Sequence, residues 1–419
     1  MLEVRGFRAF RFNERVCGPL DEVITPPFDV ISPEQRAELA ARSPHNMMHV
    51  LLPEAADGMT PYQAAAKRLE SWIDGRALVQ DPSDSFYLLE QRFTGLDGEQ
   101  HVRRGFFART KLPETADSDD VLDHERTFAS KVADRMALTE TTQANLGAVF
   151  VLYHDEDNEL AWFLKQMDDR TPEFEAETVD GVLQRIWRVE GDDRVTSFFK
   201  ERTLYIADGH HRFRTAREYR DKRRAEDPKP GPAPYDYVLM GFVALNDPGL
   251  YVWPTHRLLD PPDGFDETRA VEALKDHFDV KEAKGHLAEE VEKGPGCTFG
   301  MAVAGGGQYV LHLRDDIDRK AWLGADHSDA WLALDVTVLH RGVLEELLGM
   351  PEGTEFVYEP MPDKALAMIE SGKKGLAFLV KPTPTGQVVA CAEAHDPMPE
   401  KATYFFPKLP SGAVIHRLA

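Results

Sequence analysis

The residues best suited to chemistry in this sequence follow a short apolar run at positions 204–207. The sequence Asp-Gly-His-His-Arg occupies positions 208–212, and apolar residues then recur at the spacing of a helix. This pattern predicts a buried strand, a tight turn at Gly209 and a helix. A glycine lets the backbone turn sharply, and the first N–H groups of the helix then point outward at the positive end of its dipole. We therefore expect the turn to bind an anion such as a phosphate group.

The charge of this stretch also favours an anionic ligand. Residues 200–224 contain nine Lys or Arg and four Asp or Glu, within a chain whose formal net charge is −23. A charge run alone is more typical of a solvated helix surface. The polar turn at the carboxyl end of an apolar strand favours a binding site instead, because open α/β sheets bind ligands there.

A second group of chemically capable residues lies between positions 124 and 135. A helix predicted to run to residue 143 places Lys131 and Arg135 one turn apart, where both could contact one anion. Glu125 could accept a hydroxyl proton or hold a divalent cation, with His124 and Thr127 beside it. A salt-bridged helix surface would give the same pattern, so both interpretations stay open.

Two further segments carry candidate ligand groups. Asp29 lies in a proline-rich loop before a helix predicted at 33–42, although aspartates in loops more often cap turns. Thr255, His256 and Arg257 follow another apolar run, where a structural histidine and an exposed arginine are the simpler interpretation. The segment 398–412 contains lysines and hydroxyl groups that could donate to an anion.

The composition is that of a globular protein with more than one core. The 419 residues exceed the size of a typical single core, and no apolar run reaches the ~18 residues of a membrane span. The three cysteines lie far apart, which predicts neither disulfides nor a cysteine-based zinc site. The amino terminus has no apolar region typical of a signal peptide. We therefore expect a cytoplasmic protein with no membrane partner, and the acidic charge makes nucleic acid an unexpected partner.

We expect a fold of the α+β class (mixed α/β) to position these residues. Residues 1–260 are predicted to form the core region that carries the turn, and residues 261–419 a carboxyl-terminal α+β region whose tail could pack back on the core. The period-two pattern at 85–109 predicts a β-hairpin, and the acidic segment 156–193 is interpreted as a peripheral excursion. Further helices are predicted at 267–278, 329–348 and 362–370, and further strands at 148–153, 237–245, 297–303, 309–313 and 375–380.

Five separated motifs together resemble a widespread prokaryotic family of unknown function. They are Pro-Pro-Phe-Asp-Val-Ile-Ser at 26–32, His-Glu with Thr, Lys and Arg at 124–135, the turn at 207–212, Pro-Thr-His-Arg at 254–257, and the tail at 398–409. The resemblance spans essentially the whole chain. Some members of this family lie beside genes of serine biosynthesis.

The turn is also similar to the signature of the ParB and sulfiredoxin superfamily, in which a strand–turn–helix element binds nucleotide phosphates. This resemblance implies a nucleotide-binding core with large insertions. Sulfiredoxins have their nucleophilic cysteine where this chain has His210, so sulfinic acid repair is not expected. Free-serine kinases of the superfamily carry the same Asp-Gly-His-His-Arg turn, which implies that Gly209, His211 and Arg212 bind phosphates.

These features favour a nucleotide-dependent phosphotransferase, a small-molecule kinase that acts on a small hydroxylated metabolite. Free serine is the favoured acceptor, and ATP or ADP with Mg²⁺ are the expected cofactors, with no resident metal site. The candidate catalytic residues are Glu125, Asp208 and His210. The candidate phosphate-binding residues are Gly209, His211, Arg212, Lys131 and Arg135. The candidate substrate-binding residues are Asp29, His124, Thr127, Thr255, His256 and Arg257.

Two hypotheses from other classes stay open. A metal-dependent hydrolase could use His124, Glu125, Asp208, His210 and His256, because imidazole and carboxylate groups suit zinc or manganese. A non-catalytic sensor could bind a nucleotide or a phosphorylated metabolite as a signal, and it would bind tightly without turnover.

Overall fold

The computed structural model describes residues 1–115, 118–351 and 354–419, which fold into two compact units. Unit 1 contains Met1–Asp123, Thr127–Tyr251 and Pro407–Ala419, and unit 2 contains His124–Arg126 and Val252–Phe406. The sequence places the main boundary after residue 260, and here it lies between Tyr251 and Val252. Both units combine helices and sheets, so the predicted α+β class is confirmed.

The strands are short except in the central hairpin of unit 1. They are β1 (Val4–Arg5), β2 (Phe10–Phe12), β3 (Leu78–Gln80), β4 (Ser85–Thr94), β5 (Gln100–Lys111), β6 (Val121–Leu122), β7 (Ala144–Asn145), β8 (Val149–Tyr153), β9 (Phe174–Glu177), β10 (Leu183–Glu190), β11 (Leu204–Asp208), β12 (Tyr237–Ala244), β13 (Tyr251–Trp253), β14 (His256–Leu259), β15 (Phe278–Glu282), β16 (Thr298–Val303), β17 (Gln308–Leu313), β18 (Val357–Glu359), β19 (Leu376–Leu379), β20 (Tyr404–Phe406) and β21 (His416–Arg417).

The helices range from single turns to a helix of 17 residues. They are α1 (Glu14–Cys17), α2 (Pro33–Arg42), α3 (Met48–Leu51), α4 (Pro61–Asp74), α5 (Ala129–Thr142), α6 (Ala161–Leu164), α7 (Asp193–Phe199), α8 (His210–Glu226), α9 (Glu267–Leu274), α10 (Leu287–Lys293), α11 (Arg319–Leu323), α12 (Asp329–Leu332), α13 (Asp335–Thr337), α14 (Pro362–Glu370) and α15 (Thr385–Glu393). Short 3₁₀ helices occur at Leu20–Glu22, Phe28–Val30, Lys165–Met167 and Pro234–Asp236, and Val338–Leu347 is a π-helix.

The large sheet of unit 1 has the order β6-β11-β8-β12-β5-β4-β10-β9, and β1 adds to β5. It is a mixed sheet, because β11 runs parallel to β6 and antiparallel to β8, while β8 and β12 are parallel. The strands β8 and β12 are buried along their whole length, which explains their nearly continuous apolar sequences. Residues of these strands form one core with Phe213 and Ala216 of α8. The core therefore fixes the start of α8 against the end of β11.

Local signals account for several elements of unit 1. The hairpin predicted at 85–109 is confirmed by β4 and β5, in which Tyr87 lies opposite Phe107. Helix α2 begins as predicted, because Ser32 caps it in a reciprocal capping box and Pro33 is its first residue. Helix α5 packs against α8 and α4.

Unit 2 has its own sheet, with the order β15-β17-β16-β19-β14-β18. Apolar residues of α10 and α14 cover this sheet and form a separate core with Leu258, Ala302 and Leu379. The strand β20 pairs with β13, and the ring of Phe406 stacks on Trp253 with centroids 3.8 Å apart. The buried residues of this sheet and its helices thus form a cluster separate from the core of the large sheet.

Three element predictions were wrong. The segment 156–193 is not an excursion, because it contains β9 and β10, and β10 pairs with β4 inside the large sheet. The helix predicted at 267–278 ends at Leu274, and Phe278 begins β15. The helix predicted at 329–348 is broken into α12, α13 and the π-helix. In each case the pairing or packing of distant residues overrides a weak local pattern.

All three cysteines are buried and free. Among the described residues, no helix combines the length and the apolarity that crossing a bilayer requires.

Candidate functional site

The turn between β11 and α8 has the geometry expected of an anion-binding junction. Gly209 adopts φ 92° and ψ 28°, in the left-handed region, and α8 begins at the next residue. A Cβ atom at this position would lie 2.9 Å from the guanidinium group of Arg212. Two separate features therefore require glycine at position 209: the left-handed backbone conformation and the close approach of the Arg212 side chain.

Two cations contact the carboxylate of Asp208. Arg212 donates from Nη2 to Oδ2, and Lys408 donates from Nζ to Oδ1 at 2.5 Å. Arg212 also donates from Nη1 to the carbonyl oxygen of Ala148. The three charged side chains are only 10–14% exposed, so solvent screens these pairs weakly.

These contacts determine whether the Asp208 carboxylate can act as a general base or bind Mg²⁺. Burial by itself would raise the pKa of the Asp208 carboxyl, but Lys408 and Arg212 hold it well below its ordinary value. A carboxylate with such low proton affinity is poorly suited to act as a general base. Because each of its oxygens already accepts from a cation, Asp208 is better suited to orienting Lys408 and Arg212 than to binding Mg²⁺.

A buried polar network holds Lys408 in place. Arg103 is 1% exposed, lies 4.7 Å from the ring centroid of Phe150, and donates to Gln91 and to the carbonyl oxygen of Pro407. Gln91 donates from Nε2 to the carbonyl oxygen of Lys408 at 3.1 Å. Burial lowers the pKa of the Arg103 guanidinium from its ordinary value. The hairpin thus fixes the backbone of the tail on both sides of the Pro407–Lys408 peptide bond.

The residues predicted from the sequence did not include Arg103 or Gln91, and Lys408 was only one of several possible donors in the segment 398–412. A signal was present for Gln91, because the alternation of the predicted hairpin puts it on the same face as Leu89 and Phe93. Buried polar residues in a strand require partners, so they mark a specific network.

His211 and Lys131 lie against one aromatic ring. The backbone N–H of Phe128 donates to Nε2 of His211 at 3.0 Å, so the neutral imidazole carries its proton on Nδ1. The two rings are stacked with an interplanar angle of 12°, and Nζ of Lys131 lies 5.2 Å from the Phe128 centroid. Phe128 is 44% exposed, so this cluster faces solvent.

The other predicted residues of unit 1 have varied surroundings. Arg135 is buried, lies 4.2 Å from the ring centroid of Phe28 and donates to Asp134 and to the carbonyl oxygen of Leu51. Thr127 accepts from Arg214 at 2.8 Å. Asp29 is exposed in the 3₁₀ helix Phe28–Val30, and His210 is buried at the start of α8.

In unit 2, Arg257 holds the backbone of the tail. It is 1% exposed, donates from Nε to Nε2 of His340 at 3.1 Å, and donates from Nη2 to the carbonyl oxygen of Lys401 at 3.0 Å. Its Nη1 atom donates to the carbonyl oxygen of Thr255. Burial lowers the pKa of Arg257 to about 10, so the group stays charged at neutral pH.

The His-Glu motif contacts the same tail. Nε2 of His124 lies 3.3 Å from the hydroxyl group of Thr403, and the carbonyl oxygen of His124 accepts from the backbone N–H of Met398 at 2.8 Å. Glu125 forms a parallel bridge with Met398. Three motifs that are distant in the sequence are therefore packed together inside unit 2.

His256 is buried as a neutral imidazole. Its Nδ1 atom accepts from the backbone N–H of Val380 at 3.1 Å, which places the ring proton on Nε2. Burial, assisted by the charge of Arg257, lowers the pKa of His256 to about 3. The pKa of His340 is lowered to about 3 by the same two causes.

The predicted site residues thus form two sets, one in each unit. The set in unit 1 is Asp29, Thr127, Lys131, Arg135, Asp208, Gly209, His210, His211 and Arg212, and the set in unit 2 is His124, Glu125, Thr255, His256 and Arg257. Among the residues that the structure describes, no group of three or more His, Cys, Asp or Glu could hold a metal ion. The hydrolase hypothesis has no ligand set in that part of the chain.

Known proteins resemble this chain at low similarity. A conserved hypothetical protein from Pyrococcus furiosus is 14% identical, with 70% of this chain and 90% of that chain covered and a TM-score of 0.35. A free serine kinase in complex with AMP is 13% identical, with 70% and 91% covered and a TM-score of 0.34. SbnI with a C-terminal truncation, from Staphylococcus aureus, is 10% identical, with 69% and 81% covered and a TM-score of 0.32.

No curated protein matches the chain. A family model described as "Protein of unknown function (DUF1015)" matches residues 4–337, which is most of the sequence. The chain therefore belongs to the DUF1015 family.

Proposed function

We propose that the turn after β11 binds the phosphates of a nucleotide, and that the protein is a phosphotransferase acting on a small hydroxylated metabolite. Free serine is the favoured acceptor. The observation that carries this proposal is the junction of a buried strand with a 17-residue helix through a left-handed glycine. Such a junction directs the first N–H groups of the helix and the positive end of its dipole at a ligand.

The sequence at the N-terminus of α8 favours binding of an anion from outside the protein. Its capping residue is Gly209, which has no side chain to accept from the helix, and its first turn, His-His-Arg-Phe, contains no acidic residue. Helices whose N-terminal N–H groups are not satisfied by a side chain need another partner, and phosphate oxygens are suitable acceptors. Gly209, His211 and Arg212 are therefore assigned to the phosphates.

The charges beside the turn also suit a phosphate. Asp208 contributes one negative charge, and Arg212 and Lys408 contribute two positive charges, so the group carries a surplus of one positive charge. Phosphoryl transfer depends mainly on positioning and charge neutralisation. A phosphate at the turn could share Arg212 and Lys408 with Asp208, and charge-assisted hydrogen bonds from both would fix it.

The proposed reaction transfers a phosphoryl group from the nucleotide to the hydroxyl group of the acceptor. The hydroxyl oxygen of the acceptor forms a bond to the terminal phosphorus of ATP or ADP, the bond from that phosphorus to the bridging oxygen breaks, and the shortened nucleotide leaves. The hydroxyl proton goes to a base, for which His210 stays the candidate within unit 1 because Asp208 binds protons weakly. Mg²⁺ would accompany the nucleotide phosphates, and we assign it no protein ligand.

The substitution Arg212→Ala tests the phosphate assignment. We expect the affinity for ADP and ATP, measured by isothermal titration, to fall by about tenfold or more, because a charge-assisted contact is lost. Arg214→Ala is the matched control, because Arg214 is on the same helix but pairs with Glu218 and Thr127 on the exposed side. Circular dichroism checks that both variants fold. Nucleotide binding by Arg212→Ala equal to that of the wild type would remove the turn from the proposal.

A turnover assay separates the phosphotransferase from a sensor. The wild type is incubated with ATP or ADP, Mg²⁺ and serine, and formation of phosphoserine is followed. Tight nucleotide binding without transfer to serine or to other small hydroxylated metabolites would favour the non-catalytic sensor.

A further inference from the structure

A small cavity lies beside Arg212 inside unit 1. Its volume is about 50 Å³. One water molecule needs roughly 10–15 Å³ measured in this way, so the cavity can hold a group of several non-hydrogen atoms. It is lined by α5, α8, the segment 144–147 and Ser411 of the tail. The proposed phosphate turn and this cavity therefore share Arg212.

The cavity combines apolar walls with a few polar groups. Phe28, Leu51 and Leu138 contribute apolar surface, while Arg135 and Thr215 contribute polar groups. Sites for small molecules are typically built in this way, because apolar walls exclude water and a few polar groups fix the orientation of the ligand.

Thr215 shows that a polar partner is missing from the cavity. Its side chain is 3% exposed, and within the described residues its Oγ1 atom is buried without a hydrogen-bond partner. Thr215 follows Arg212 by three residues in α8, so both side chains lie on one face of the helix. Buried hydroxyl groups nearly always have a partner, so a ligand or a water molecule is expected to complete this bond.

The charge around the cavity favours an anion. The described residues that line the cavity include two arginines and no acidic residue. The two are Arg135 of α5 and Arg212 of α8, so they come from different helices. An anionic ligand group would therefore meet positive charge and no carboxylate in this lining.

We propose that this cavity is the acceptor site and that it takes a short-chain molecule carrying both a carboxylate and a hydroxyl group. This inference rests on the proposed phosphotransferase function and deepens it, because it locates the acceptor beside Arg212. The carboxylate pairs with the arginines of the lining, and a polar group of the ligand completes the hydrogen bond of Thr215. The small volume favours acceptors with short side chains.

The test compares substitutions inside and outside the cavity. Thr215→Val removes the hydroxyl group with little change of shape, Thr215→Ser keeps it, and Ala216→Leu fills the cavity. Thr141→Val is the control, because Thr141 is an exposed threonine of α5 whose hydroxyl bonds within its own helix. The probes are L-serine, D-glycerate and glycerol, titrated into the full chain with and without ADP.

We expect L-serine or D-glycerate to bind the wild type about tenfold or more tightly than glycerol, which lacks the carboxylate. Thr215→Val should weaken binding of the acid by about fivefold, and Thr215→Ser should restore most of that affinity. Ala216→Leu should abolish binding of the acid, and Thr141→Val should leave its affinity unchanged. The affinity for ADP should stay within about twofold in the two Thr215 variants and in Thr141→Val, because the phosphate turn is untouched.

Two outcomes would overturn the acceptor site while leaving the phosphate turn intact. In the first, ADP binds but neither acid binds the wild type. In the second, the acids bind Thr215→Val and Ala216→Leu as tightly as the wild type. If Ala216→Leu does not fold, the affinities of Thr215→Val and Thr215→Ser for the acids are compared instead. Equal affinities in these two variants would overturn the acceptor site. Failure of the nucleotide proposal is distinguishable, because it appears as absent ADP binding.

Discussion

The Nζ atom of Lys408 donates to Oδ1 of Asp208 at 2.5 Å, although 200 positions separate the two residues in the sequence. This contact joins the tail of unit 1 to the turn that begins α8. Together with Arg212 it determines the charge that a ligand meets at the turn, and it keeps the pKa of Asp208 low.

Removing Lys408 should destabilise unit 1 and raise the pKa of Asp208. In Lys408→Met, Arg212 still pairs with Asp208, so we expect the free energy of unfolding to fall by about 1–3 kcal/mol. Urea denaturation at neutral pH measures this change. Lys408→Arg keeps the positive charge, so its free energy of unfolding should fall by less than that of Lys408→Met. Equal stability of the Met variant and the wild type would show that the pair contributes nothing net.

The conformation of Gly209 should make it intolerant of alanine. A left-handed alanine costs roughly 1–2 kcal/mol, and at Gly209 the added methyl group would also displace the Arg212 guanidinium. Gly231→Ala is a matched control, because Gly231 has φ 93° and, among the described residues, no heavy atom lies within 4 Å of the point where its methyl group would sit. Both variants should lose stability in urea, but only Gly209→Ala should lose nucleotide affinity. Equal nucleotide affinity in the two variants would contradict the role of the turn.

Arg103 should anchor the tail through its planar guanidinium group. Arg103→Lys keeps the charge, but a single ammonium group cannot bond Gln91 and the Pro407 carbonyl with the same geometry. We expect a loss of about 2–4 kcal/mol in the free energy of unfolding and faster proteolytic cleavage near residue 407. Arg92→Lys, in an exposed position of the same hairpin, is the control. Cleavage rates that match for the two variants would refute the anchoring role.

Two histidines with lowered pKa values should make unit 2 sensitive to acid. His256 and His340 have their pKa values lowered from 6.5 to about 3, so between these pH values the unfolded chain binds protons that the folded chain does not. The free energy of unfolding therefore falls as pH decreases from 6.5 towards 3, by up to roughly 1.4 kcal/mol per pH unit for each histidine.

Urea denaturation at several pH values between 7 and 4 checks this dependence. The free energy of unfolding of His256→Gln should depend less on pH than that of the wild type, because one of the two imidazoles with a lowered pKa is gone. His395→Asn changes an exposed histidine with φ 50°, a conformation that asparagine accepts, and should leave the dependence unchanged. Parallel curves for His256→Gln and the wild type would refute the assignment.

The strand–turn–helix element could be predicted because its signals are local. The apolar run, the glycine and the helical spacing lie within 20 residues, and β11 and α8 have the predicted character. Strand β10 and the break in the helix near residue 335 could not be predicted in this way, because pairing with β4 and packing in unit 2 decide them.

The surroundings of the candidate residues were less predictable than their positions. The sequence suggested that Arg257 would neutralise a ligand, whereas its guanidinium group donates to His340 and to backbone carbonyls of unit 2. Lys408 was recognisable as a donor, but its partner is set by Arg103 and Gln91, which are more than 300 residues away. A contact over such a distance leaves no periodic pattern in the sequence.

The placement of Pro407–Ala419 in unit 1 has a consequence for how the protein is made. A ribosome must translate residues 252–406 after the rest of unit 1 and before residues 407–419, which takes roughly 8–30 s at common elongation rates. During that interval the nascent unit lacks Lys408, and of its two cationic partners Asp208 has only Arg212. Newly made chains should therefore acquire the finished turn only after residues 252–406 of unit 2 have been synthesised.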